Sequence, residues 1–140
     1  MAIGKAAKSD AHVVLQGIIR LAEFSKENVF EVAKKLELPP HLARALLFLD
    51  KPAPMRELAD NLSCDRSYIT GIADQLEERG LIERSTGEDR RVKLIKLTSK
   101  GKNLRIKLTD GIVDNNPVFT ELSQSDRKDL IRILTKAKLD

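Results

Sequence analysis

Between Arg56 and Leu97 the apolar period changes from helical to strand-like, and that change limits the folds open to this chain. Leu58, Ala59 and Leu62 fall at helical spacing over Arg56–Leu62. Ser63-Cys64-Asp65 leaves room only for a tight connector, with Asp65 or Ser63 placed to cap the next helix. Ile69, Ile72, Ala73 and Leu76 form the buried stripe of that second helix, Arg66–Arg79, and Gly80 stands where a helix C-cap glycine belongs. Leu81–Arg84 and Arg91–Leu97 are then short and β-prone, separated by the polar stretch Ser85-Thr86-Gly87-Glu88-Asp89. Two short helices joined by a three-residue turn and followed at once by a hairpin form the winged helix-turn-helix pattern.

The flanking sequence is helical. Val14, Ile18, Leu21, Ala22, Val29, Val32, Ala33 and Leu36 give a helical period over Ala11–Leu38, which Pro39 and Pro40 end. Leu42, Ala45, Leu46 and Leu49 line a short second helix, and Lys51-Pro52-Ala53-Pro54 predicts a turn. A long helix begins near Ser99 with Thr98 as its cap and Leu104, Leu108 and Ile112 on one side. Asn115-Asn116-Pro117 stops it, and Ser123-Gln124-Ser125-Asp126 has the spacing of a capping box opening a last helix to about Leu139. The expected fold class is mainly α with a small β-hairpin wing (α+β). Long helices with apolar stripes and little local sequence to cover them call for a partner surface. Residues 1–38 and 99–140 carry these stripes and flank the winged helix-turn-helix unit 39–98.

Several function classes drop out. No apolar run approaches the roughly 18 residues of a membrane span, and Met1–Lys8 lacks the apolar stretch of a secretory signal, so a cytoplasmic protein is expected. One cysteine (Cys64) and two histidines (His12 and His41) rule out an internal disulfide and a multi-ligand His/Cys metal site within one chain. Catalytic triads, phosphate-binding loops and dinucleotide fingerprints have no counterpart, so no enzyme is expected and no cofactor is implied. Charge points elsewhere. The net charge is +4, yet Arg84–Lys107 holds nine bases against two acids, or +7, leaving the remainder at −3. A basic stretch on a wing and the helix after it suits an anionic partner, although a solvated basic face has the same composition.

The geometry names the candidates. A helix fits the major groove, and the apolar stripe of Arg66–Arg79 turns Arg66, Ser67, Tyr68, Thr70, Gly71, Asp74 and Gln75 outward. Ser67, Tyr68 and Thr70 can donate to phosphates or base edges, Arg66 can hold a phosphate or guanine, and Gln75 can bracket an adenine. Gly71 costs about 0.8–1 kcal/mol relative to alanine mid-helix. Either a close approach of the DNA backbone or crowding against a neighbouring helix accounts for it. Arg90 and Arg91 lie at the hairpin tip, where an arginine reaches the minor groove, with Lys93 and Lys96 as phosphate contacts. Asp89 would repel phosphate; pairing with Arg91 to hold the wing in shape suits it better.

Residues Met55–Gly101 resemble the winged-helix core of the MarR (multiple antibiotic resistance regulator) family. The resemblance is strongest in Leu76–Arg84 (LEERGLIER), in Asp89-Arg90-Arg91, whose Asp89 and Arg91 fit the family's D-x-R wing motif, and in Leu97-Thr98-Ser99-Lys100-Gly101. It implies an obligate homodimer that reads a pseudo-palindromic operator on double-stranded DNA, with residues 1–38 and 99–140 as the helical dimerisation region and 39–98 as the winged helix-turn-helix DNA-binding domain. It also implies a repressor released when a small aromatic or phenolic ligand binds between the dimer helices and the winged domain. Phe24, Phe30 and Phe48, lining a cleft between the first two helices and the DNA-binding lobe, with His12, Arg20 or His41 toward a carboxylate, are the candidate ligand residues, ordinary core and dimer packing being the alternative. Some members of the family sense oxidants through a cysteine in the first helix. This chain has none there, and Cys64 in the connector suits packing. Two other functions remain open on sequence grounds: a winged-helix module that binds protein, and an architectural protein that binds DNA without sequence preference.

Overall fold

The computed structural model describes residues 4–137. In chain order the elements are α1 (Lys5–Lys35), α2 (Pro40–Leu47), β1 (Ala53–Pro54), α3 (Met55–Leu62), α4 (Arg66–Glu78), β2 (Ile82–Thr86), β3 (Lys93–Leu97), α5 (Ser99–Asp114), α6 (Pro117–Thr120) and α7 (Gln124–Lys136). The fold is mainly helical with a small antiparallel sheet, as the period changes predict. Leu139, the expected end of the last helix, lies outside the described residues.

The central unit keeps closely to its sequence signals. Ser63 takes the left-handed conformation at the end of α3. Of the two candidate caps it is Asp65 that opens α4, its carboxylate accepting the Tyr68 N–H at 2.8 Å. Gly80 closes α4 at φ 72°, a conformation that only glycine adopts readily. Ile69, Ile72, Ala73 and Leu76 are all buried, so the outward face of α4 is the one the stripe defines. Thr98 caps α5 through the Gly101 N–H, and Ser123 and Asp126 form the reciprocal capping box of α7.

Several boundaries differ from expectation, the start of α1 at Lys5 rather than Ala11 among them. Lys51–Pro54 is not only a turn. Ala53 and Pro54 pair with Ile95 and Leu94, giving the sheet a third strand and the order β1-β3-β2. Proline is tolerated there because β1 is an edge strand. β3 starts at Lys93 rather than Arg91, and Ser85 and Thr86 belong to β2, so the wing loop is 87–92. α1 ends at Lys35, and Glu37 at φ 55° turns the chain before the two prolines. After α5, Asn116 caps the additional one-turn helix α6 by accepting the Val118 N–H.

One apolar core joins the parts. Leu42, Leu46 and Leu49, Leu58 of α3 and Ile69 and Leu76 of α4 share it with Val32 and Ala33 of α1, Leu81, Ile82, Ile95, and Leu108 of α5. Full burial of each such side chain is worth about 1.5–3 kcal/mol, so the second half of α1 is anchored. The first half is not: every described side chain from Asp10 to Phe24 is exposed, Val14, Ile18 and Leu21 among them. The stripe predicted along α1 is thus buried within the chain only toward its C-terminal end. On α7, likewise, Ile131 and Leu134 are uncovered. No helix among the described residues is long and apolar enough to cross a membrane.

Candidate nucleic-acid interface

The exposed face of α4 and the wing loop are the two surfaces that carry the candidate residues. Arg66, Ser67, Tyr68, Thr70 and Gln75 are exposed on α4. Two of its hydroxyls already donate inward: Ser67 Oγ to the Asp65 carboxylate and Thr70 Oγ1 to the Arg66 carbonyl, each at 2.8 Å. In the free protein they offer lone pairs, not hydrogens, to an incoming phosphate. Tyr68 keeps a hydroxyl without a partner among the described residues, and Arg66 has no acidic partner there. Gly71 is not relieving crowding, since no atom lies within 4 Å of a Cβ built on it. It forms the floor of a shallow cleft of about 290 Å³ bordered by His41, Ser67, Tyr68 and Gln75.

Asp74, the other outward residue, is withdrawn from any ligand by its ion pair with Arg84, which also lies 3.5 Å from Glu77. The basic stretch is correspondingly smaller than its composition. Lys96 pairs with Glu83 at 3.1 Å, Lys100 donates to the Arg79 carbonyl, and Arg105 donates to the Leu46 carbonyl. The wing cations Arg90, Arg91 and Lys93 have no acidic partner among the described residues. Asp89 does not pair with the Arg91 guanidinium, as the sequence suggested. Its carboxylate accepts the Arg91 backbone N–H at 3.0 Å and its carbonyl the Val92 N–H, which folds the loop and leaves the guanidinium free.

At the start of α4, the Tyr68 N–H first and the Ser67 hydroxyl second hold the Asp65 carboxyl below its ordinary value. A depressed folded-state pKa stabilises the fold above the ordinary aspartate range and loses that effect as pH falls through the folded value. Asp65→Ala should therefore melt below wild type near neutral pH, and the two melting curves should converge below about pH 4. A gap that does not narrow at all as pH falls below the ordinary aspartate range would mean that the cap does not act through its charge.

The candidate ligand residues do not converge within one chain. Phe48 and His41 border a groove of about 660 Å³ between α1 and α2, together with Phe30, Lys26 and Arg44. His12, Arg20 and Phe24 stand on the exposed first half of α1, outside it. A second cavity of about 360 Å³ lies between α5 and the sheet, where Lys51, Lys96, Lys102 and Arg105, with Asp50 among them, surround Leu49, Leu97 and Ile106. Nothing in the spacing of the sequence foreshadows it, nor the hydrogen bond between His41 Nε2 and Gln75 Oε1 at 2.9 Å, which joins residues 34 positions apart. Cys64 is half-buried and packs against the core.

Comparison with known proteins accords with this geometry. Residues 46–93 match the model of the MarR family. Wild-type MarR from E. coli, in its apo form, has the same fold, with a TM-score of 0.67 at 20% identity over 99% of each chain. CouR from Rhodococcus jostii RHA1, bound to p-coumaroyl-CoA, aligns at 0.72 and 22% identity over 97% of this chain and 96% of its own. A MarR family protein from Bacillus stearothermophilus gives the same values. Residues 46–93 thus match the MarR family, and nearly the whole length of the chain shares the fold of these MarR-family structures.

Proposed function

We propose that this chain is a sequence-specific DNA-binding transcriptional regulator, a cytoplasmic repressor that binds a pseudo-palindromic operator as a homodimer. The observation that carries the reading is the pairing of two surfaces on one winged unit: the exposed polar face of α4, with open space over Gly71, and the wing loop, whose Arg90 and Arg91 have no acidic partner among the described residues. Helix α4 enters the major groove with Arg66, Ser67, Tyr68, Thr70 and Gln75 toward the DNA, and Gly71 admits the backbone. Arg91 enters the minor groove, Arg90 and Lys93 meet phosphates, and Asp89 keeps the loop in shape.

Dimerisation rests on the uncovered helices. Isolated helices of 13 residues are marginal in water, yet α7 packs little against its own chain and exposes Ile131 and Leu134. The free half of α1 shows the same need. Residues 1–38 and 99–140 then supply the dimer seam and 39–98 the DNA-binding unit, although both draw on one core.

The test is fluorescence anisotropy with DNA from upstream of the gene, against a scrambled duplex of equal length and with salt varied. Wild type should prefer the upstream site by roughly 10³-fold or more, with a steep salt slope. Arg91→Ala should weaken that binding about 10-fold while melting like wild type. Equal, weak binding of wild type to upstream, scrambled and selected random duplexes would sink the reading.

A small aromatic or phenolic ligand would release the DNA. The cavity between α5 and the sheet suits one with a single negative charge, because Lys51 and Lys102, which have no acidic partner among the described residues, stand beside an apolar floor and outnumber Asp50. CouR, of the same fold, holds an aromatic polyanion. Aromatic carboxylates that raise the melting temperature should lower operator affinity, and Lys102→Glu should remove both effects. Unchanged binding in Lys102→Glu would place the ligand elsewhere.

A further inference from the structure

We propose that His41, which lies on α2 outside the helix-turn-helix, is a positioning residue for DNA reading. It holds the Gln75 amide so that the NH₂ group, rather than the carbonyl, faces the groove. The inference rests on the DNA-binding reading above and extends it to a residue that none of the wing or recognition-helix motifs includes.

A glutamine can bracket adenine only if its carbonyl oxygen and its NH₂ are both presented to the base edge. Here Gln75 Oε1 lies 2.9 Å from His41 Nε2, a contact that the imidazole N–H donates. With the oxygen turned toward α2, Gln75 offers donors outward. Donors suit the acceptors that guanine N7 and O6, adenine N7 and thymine O4 show in the major groove.

Placement supports this. Ser67, Gly71 and Gln75 recur every four residues along one face of α4, about 12 Å from end to end, which matches the width of the groove. Gly71 leaves the middle of that stripe open. His41 and Gln75 border the same cleft over Gly71, so the imidazole reaches the stripe from the side. The anchoring is firm at the other end: Pro40 opens α2, and the next residues, Leu42 and Ala43, are fully buried. A half-buried His41 on a fixed helix removes rotamers from Gln75 before the DNA arrives, which favours bases that present an acceptor there over cytosine, whose N4 amino group is a donor.

The test takes the duplex that wild type selects from a random pool and measures affinities for all its single-base-pair variants, with purified full chains. In wild type, changing the base pair opposite Gln75 should cost about 5- to 100-fold. His41→Leu should reduce that penalty to below about 3-fold at that pair alone, leaving other positions unchanged. Gln75→Ala should do the same, and the double variant should add nothing further. His41→Gln, whose amide can still donate to Gln75, should restore at least half of the logarithmic penalty. Three results would overturn the inference: wild-type discrimination in His41→Leu, an even loss across all variants, or full discrimination in Gln75→Ala. If wild type selects a site and Arg91→Ala weakens it while His41→Leu reads bases normally, this inference fails alone. If wild type selects no site, it falls together with the DNA-binding reading. Melting curves check that each variant folds. Should His41→Leu unfold, the decision passes to Gln75→Ala and His41→Gln.

Discussion

Gly101→Ala should lower stability by about 3 kcal/mol and the melting temperature by about 10 °C. A Cβ at residue 101 would stand 2.0 Å from the Leu81 carbonyl oxygen and 3.0 Å from its carbon. Neither side can yield cheaply. The Leu81 carbonyl is held by the Thr98 N–H at 3.0 Å, and its side chain is buried in the core. Thr98 is tied in turn to the Gly80 carbonyl through its hydroxyl and to Gly101 itself as the cap of α5. Overpacking against side chains costs about 1–3 kcal/mol, and an obstacle made of fixed backbone belongs above that range. Better helix propensity returns at most about 1 kcal/mol. Gly71→Ala is the matching control. With no atom within 4 Å, it should gain about 0.5–1 kcal/mol in the free protein, whereas a close approach of DNA would make the same change weaken binding. A Gly101→Ala variant that melts like wild type would show that α5 and β2 can separate, and that the wing is not rigidly mounted on α5.

Such junctions are where sequence reading stops. The apolar stripes of α3 and α4, the Asp65 and Thr98 caps and the Gly80 stop are local signals, and each appears in the structure within a residue or so. β1 escaped because two residues carry no period, and its pairing with Leu94 and Ile95 is decided by the core, not by Ala53-Pro54 itself. α6 escaped because Asn116-Pro117 reads equally well as a stop or as a cap with proline at N1. For the candidate site, sequence shows which side of α4 faces outward, but not which charges are already paired. Arg84, Lys96, Lys100 and Arg105 look as free as Arg90 and Arg91 until the fold sets acids and carbonyls beside them. Gly101 and Gly71 are indistinguishable in sequence, yet one is packed against a carbonyl and the other faces open space.

Ile18→Glu should convert the protein to monomers and lower operator affinity by about 100-fold or more. Ile18 is 60% exposed in the single chain, so a glutamate there disturbs nothing that the chain buries by itself. Any large effect must come from a second copy. In a dimer seam the carboxylate would be taken out of water without a partner, a cost of several kcal/mol incurred twice by symmetry. The consequence for DNA is larger than for any single contact. Two half-sites joined through one dimer bind with an effective concentration in the millimolar range for the second contact, and a monomer forfeits that factor of about 10²–10⁴. Its salt slope should fall to about half, because only one set of phosphate contacts remains. Arg91→Ala separates the two causes, since it should weaken DNA binding while the mass in light scattering stays dimeric. An Ile18→Glu chain that remains dimeric would move the seam away from this face of α1. One that is monomeric yet binds with undiminished affinity would mean that each protomer reads its site alone, and the pseudo-palindrome would have no physical basis.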